Sequence, residues 1–176
     1  MDGLVEKALA FGFSHAALLK AETLNLRTEV RDMCAAGKCK SYGKSWVCPP
    51  ACGTLEEIAA KIATYKSGLI VQTTAELEDE FDYEGMTAAA ALQKERFNAF
   101  RKVLVEQWPG LTPLSSGGCR LCESCAWPDA PCRRPNDTHT SMEAAGLVVS
   151  DVCESNDIPY YYGKGTLTYT GCFLLE

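Results

Sequence analysis

The chain has 176 residues, 47% of them hydrophobic, with 17 basic against 23 acidic side chains and a net charge of −6. That is enough apolar material for one compact domain with its own core, without disulfide staples. The acidic balance argues against nucleic acid as a partner, because such binders carry a basic face. No run of about 18 apolar residues is present to span a membrane. The opening MDGLVEKALAFGFSHAALLK carries acids where a signal peptide would carry bases. The expected compartment is therefore the cytoplasm, where thiols stay reduced.

Along the chain, Gly3 to Phe11 reads as a helix with Leu4, Ala8 and Phe11 on one side. A short strand is expected over His15 to Lys20 and a second helix over Arg27 to Cys34. Cys34 to Gly53, rich in Gly, Lys, Ser and Pro, reads as loop. Thr54-Leu-Glu-Glu57 fits a capping box, in which Thr covers a free amide and Glu reaches back. Ile58, Ile62 and Tyr65 extend its apolar face to about Lys66. Leu69 to Thr73 reads as a buried strand, and Glu76 to Glu84 as an acidic connector. The longest helix is predicted over Ala88 to Trp108, stopped by Pro109-Gly110, with a short strand at Leu111 to Ser115. Thr140-Ser-Met-Glu143 fits a second capping box and predicts a helix from about Ser141 to Asn156. Tyr160 to Leu175 reads as extended chain with a turn near Gly163-Lys-Gly165. The interleaving predicts an α/β or α+β fold over residues 1–176 as a single compact domain. It would hold a small mixed sheet flanked by helices and two cysteine-rich loops, 34–53 and 119–135.

Ten cysteines are the most informative feature. Four fall in CRLCESCAWPDAPCRRP as Cys119-x2-Cys122-x2-Cys125-x6-Cys132. These are too closely spaced for a disulfide framework joining distant segments. Three thiols at two-residue gaps can wrap one face of a cubane, as in the bacterial ferredoxin run. Here the fourth gap is six residues rather than three, and a proline follows three positions later. Zinc also accepts four thiolates, but its usual frame is two separated CxxC pairs around a tetrahedron. The overlapping CxxCxxC suits a cluster with several iron corners better than one ion.

The other set is Cys34-x4-Cys39-x8-Cys48-x3-Cys52, a less diagnostic spacing open to cluster, zinc or plain reduced thiols. Lys38, Lys40 and Lys44 lie between its ends and no acid does. Such lysines would offset the negative charge of a four-thiolate centre. Cys52 precedes the capped helix, whose positive end favours anionic sulfur. Beside the second set, Arg120, Arg133 and Arg134 would act in the same sense, or are solvated side chains. Lys38, Lys44, Arg120 and Arg133 are the candidate cofactor contacts.

Cys153 and Cys172 sit in apolar surroundings and read as core thiols. His15 and His139 are not needed as ligands beside eight well-spaced cysteines. Trp46 and Trp127 each lie two residues from a set cysteine and could shield a centre from water. Tyr160, Tyr161 and Tyr162 could line the same region. The acidic run Glu76 to Glu84 reads as a solvated face, with docking of a basic redox partner as the sharper alternative. No GxGxxG after a strand, Walker loop or GxSxG elbow occurs.

The combination YGKSWVCPP, TLEE, CRLCESCAWPDAPCRRP and TSMEAAGLVV resembles a family of predicted metal-binding proteins, domain of unknown function 2284. Its members are small proteins found mainly in anaerobic bacteria and archaea. The resemblance runs from about Cys34 to Leu175. It implies an iron–sulfur group without a settled activity. The ligands it implies are Cys34, Cys39, Cys48 and Cys52 in one set and Cys119, Cys122, Cys125 and Cys132 in the other. The expected function is electron transfer as a redox carrier or adaptor, with two [4Fe-4S] clusters and redox proteins as partners. Two other readings stay open: a metal-dependent enzyme or activating subunit with one labile cluster site, and a structural zinc protein for protein–protein contact.

Overall fold

The computed structural model describes Met1 and residues 3–176; the side chain of Lys38 lies outside the description. Helix α1 (Leu4–Phe11) leads into strand β1 (His15–Lys20) and helix α2 (Thr28–Met33). A π-helical turn, Cys34–Lys38, opens the first cysteine loop. Helix α3 (Leu55–Ile62), strand β2 (Ser67–Glu76) and helix α4 (Tyr83–Leu104) follow. Strand β3 (Thr112–Leu114) precedes the second cysteine loop, and helix α5 (Val149–Glu154) and strand β4 (Thr166–Leu174) close the chain.

The protein is a mixed α/β fold built on one four-stranded sheet of order β1-β2-β4-β3. Among the described residues every strand pair is antiparallel, so the expected mixed sheet shows no parallel strand pair, and the one parallel contact is an isolated bridge between Ser115 and Ser141. β2 pairs over its whole length with β4, from Gly68 opposite Leu174 to Glu76 opposite Thr166. Successive side chains of a strand point to opposite faces. One face carries Leu69, Val71 and Phe173 against Leu4, Ala8, Phe97, Phe100 and Leu104 of α1 and α4. The other carries Ile70, Cys172 and Leu174 against Ile62, Met142, Leu147 and Val152. Both faces of the central strands are covered, and for that reason the middle of β2 reads as a continuous apolar run.

Local chemistry explains most of the boundaries. The capping box at Thr54 forms: the Glu57 amide donates to Thr54 Oγ1 at 3.2 Å and the Thr54 amide to Glu57 Oε2 at 2.8 Å. The helix it starts ends at Ile62, short of Lys66, because the chain must turn to enter β2 at Ser67. α4 starts five residues before the expected Ala88, because Asp82 in the acidic run accepts from the Gly85 amide at 2.8 Å. The second capping box does not form. The Ser115 amide donates to Thr140 O at 2.9 Å and the Met142 amide to Ser115 O at 2.9 Å. Those bonds hold the segment after Thr140 against the end of β3, and Met142 is fully buried. Residues 142–146 then turn, and only Val149–Glu154 is helical. At Gly146 the backbone is left-handed (φ +91°), and a Cβ would stand 2.6 Å from a Leu55 methyl, so glycine is required there.

Cys153 and Cys172 are completely buried in the second core. Burial raises both thiols, Cys172 to about 12, as expected for core thiols. Among the described residues no helix is long and apolar enough to cross a membrane. Phe100 is fully buried, with its ring 5.5 Å from Phe13 and 6.0 Å from Phe173. Phe100→Ala should cost about 3–5 kcal/mol, read as a lowered urea midpoint of the purified protein.

Candidate metal centre

All ten cysteines are free thiols. The two cysteine loops are far apart in sequence but interlocked in space. Trp46, on the first loop, donates its indole N–H to Ala130 O at 3.0 Å on the second. Trp127, on the second, donates to Gly43 O at 3.1 Å on the first. The two rings meet edge to face at 4.6 Å, an arrangement that adds to the burial of their faces. Gly118 lets the loops approach: a Cβ there would lie 2.6 Å from Ser41 Oγ.

The second loop is held open by its own arginines. Arg133 donates to Ser124 O at 2.8 Å and Arg134 to Leu121 O at 3.4 Å. The Arg134 amide donates to Cys132 Sγ at 3.4 Å. Cys119, Cys122, Cys125 and Cys132 all line one cavity of about 350 Å³. That space is roughly ten water volumes. Its opposite wall comes from the first loop, through Lys40, Lys44, Ser45 and Trp46, while Arg120 and Arg133 of the second loop also border it. Of the candidate cofactor contacts, Lys44, Arg120 and Arg133 therefore stand at this cavity, and Lys38 lies outside the described side chains.

Cys34, Cys39, Cys48 and Cys52 form a second gathering. After burial, Cys39 is what most raises Cys34, and Cys48 is raised by Cys39, Cys52 and Cys34. Burial pushes Cys48 up to about 11, and burial also raises Cys34 and Cys52. Arg31 opposes this at Cys52, donating Nη2 to its sulfur at 3.5 Å and Nη1 to Gly53 O at 2.9 Å. The Cys52 thiol reaches Ala144 O at 3.8 Å.

The two gatherings touch. The Ser45 hydroxyl lowers both Cys48 and Cys125, and Ser45 lines the second-set cavity beside Cys125. Lys94 of α4 feels both Cys119 and Cys48; burial lowers it, and its Nζ donates to Gly118 O. Cys125 is the one exposed thiol and is held below the usual range, chiefly by the Trp127 amide. Among the described residues no three His, Cys, Asp or Glu side chains converge on the position of a single ion. The second set instead faces a common space, and a tetrahedral zinc would need all four sulfurs drawn in to about 2.3 Å. The donor set, thiols with a flanking belt of cations, fits a negatively charged multi-atom centre better than one bare ion.

Sequence reasoning missed Arg31, Lys94 and Glu143, which lie outside the cysteine motifs. Arg31 lies on α2, Lys94 sits mid-helix, and Glu143 stands at the third position of an apparent capping box. Trp46 lines the cavity as an aromatic cover would. Tyr162 instead stacks on His15 at 3.8 Å and donates to Gln72 Oε1 at 2.6 Å, while Tyr160 and Tyr161 are exposed. His139 sits behind the second loop with Gln93, beside Cys119 in a small cavity of about 30 Å³.

Fold and site together define a cysteine-rich α/β protein with two thiol loops joined across one cavity. The chain belongs to the family of predicted metal-binding proteins, domain of unknown function 2284, whose model matches residues 17–175. No curated protein and no solved structure matches it.

In metal-free protein at neutral pH, brief alkylation should label Cys125 first and leave Cys153 and Cys172 unlabelled, as peptide mass mapping would show. Burial, with Arg101 nearby, holds His139 down to about 4, so it is neutral in the fold. An unfolded histidine gains its proton near pH 6.5. Its contribution to stability is therefore full above that pH and lost as pH falls toward 4. Urea midpoints measured across that window should fall, and fall less in His139→Gln.

Proposed function

We propose that this chain is an iron–sulfur protein that holds two [4Fe-4S] clusters, one on each cysteine set, and carries single electrons between a reductase and an acceptor enzyme in the cytoplasm. One observation carries the reading. The three cysteines of an overlapping CxxCxxC and a distant fourth line one cavity of about 350 Å³, bordered by Lys40, Lys44, Arg120 and Arg133. A space of that size matches a multi-atom inorganic group, and the overlapping spacing matches the ferredoxin pattern.

When bound, such a cluster supplies one-electron exchange at a potential set by charge, hydrogen bonds and exposure. The chain's residues act on each of those terms. The lysines and arginines offset negative charge at the cavity wall. The Arg134 amide on Cys132 and the Arg31 guanidinium on Cys52 withdraw charge from sulfur. Trp46 and Trp127, both half-buried, cover part of the seam between the loops. The exposure of Cys125 leaves one edge of the second set near the surface, where an electron can enter or leave.

Purification without oxygen, followed by iron, sulfide and zinc analysis and a visible spectrum, tests the reading. A brown protein with about eight irons per chain is expected. Cys122→Ala should remove about half of that iron. A colourless protein with zinc and no iron would overturn the reading.

A further inference from the structure

A separate cavity of about 220 Å³ lies between helix α3, strand β3 and the segment from Thr138 to Ala145. Its floor is the second core. Ile62, Leu114 and Ala145 are buried there, and Ile58 packs beside them. Its upper walls are polar. Lys61 stands exposed at the mouth, and no ion pair among the described residues takes its amine; those present are Arg27–Asp151 and Arg134–Asp137. Thr112 is fixed in place by Tyr65, whose hydroxyl meets Thr112 Oγ1 at 2.7 Å and donates to Gly110 O at 2.6 Å. His139 forms part of the wall, and its Nε2 is buried without a hydrogen-bond partner in the chain. Cys52 of the first set also borders the space.

An apolar floor with a few polar groups around it is the composition of a small-molecule site. Charge selects the class of molecule. Among the described lining residues Lys61 is the one lysine or arginine, and none is an acid. A cation would find no counter-charge there, and an amino acid would leave its ammonium unpaired. One positive charge suits one negative charge, and the floor of isoleucine and leucine requires a carbon body. The space is roughly seven water volumes, which admits a molecule of about seven heavy atoms.

We propose that this cavity binds a small monocarboxylate, with its charged end on Lys61 and a short apolar body against Ile58, Ile62 and Leu114. The ligand lies beside Cys52 and takes no position on a metal group, so the site is compatible with full coordination by four cysteines. It gives the chain a small-molecule partner, which neither metal binding nor electron transfer requires. It stands or falls independently of which metal the cysteines hold.

The test is saturation-transfer NMR on the full chain purified without oxygen, with titrations of three probes of one shape: isovalerate, isovaleramide and isoamylamine. Isovalerate should bind, with the strongest transfer to its methyls. Isovaleramide should bind about fivefold more weakly, and isoamylamine should show no transfer. Lys61→Gln should weaken isovalerate about fivefold, the upper range for a charge at an exposed site, and leave isovaleramide unchanged. Ile58→Trp fills the cavity and should abolish transfer to both. No transfer from isovalerate in the wild type, equal binding of the three probes, or isovalerate binding unchanged in either variant would overturn the proposal. If Ile58→Trp does not fold, Lys61→Gln measured with isovalerate and isovaleramide decides it alone, because Lys61 is exposed and its loss leaves the core intact.

Discussion

Thiols gathered this closely repel one another once they ionise, and much of the arrangement around the two loops answers that repulsion. Two like charges about 4 Å apart cost about 4 kcal/mol at the effective dielectric near a protein surface. The fold meets the first set with Arg31 on Cys52 and places Lys94 where it feels a cysteine from each set. It surrounds the second with Lys40, Lys44, Arg120 and Arg133. In a chain of net charge −6, this is a concentration of cations against the overall trend. Glu123 also borders that cavity, and the densest acidic run lies before α4, where Asp82 caps the helix.

The second constraint is mechanical. A loop of small and polar residues has little core of its own, so each cysteine loop borrows rigidity from the other. The reciprocal tryptophan hydrogen bonds and the close approach at Gly118 do this directly. The sheet does it from behind. β3 runs straight into the second loop, α4 presents Lys94 to its first carbonyls, and the turn after Met142 closes over the first set. Gln93, one turn before Phe97 on α4, is almost fully buried and accepts from Thr73 Oγ1 at 2.6 Å, which pins that helix to β2 under the site.

The two sets thus share walls. Ser45 lowers a thiol of each, and the cavity of the second is bounded by residues of the first. Ionising a thiol of one set therefore bears on the other, because Lys94 and Ser45 act on thiols of both.

Much of this was legible in the residues. Helix α1, strand β1, the capped start of α3, the turn before β4 and the core positions of Cys153 and Cys172 follow from short-range pattern, capping chemistry and burial preference, all of which act over a few residues. The two cysteine sets were equally plain, since ligand spacing is a local property. What only the tertiary structure decided is long-range. It set the antiparallel pairing of β2 with β4 and bound Thr140 and Met142 to Ser115, which overrode a well-formed helix-start signal. It also brought Arg31, Lys94 and Glu143 to the thiols from a helix face, a helix middle and a distant turn. Local sequence cannot encode those meetings, because each depends on where the sheet delivers two segments far apart in the chain.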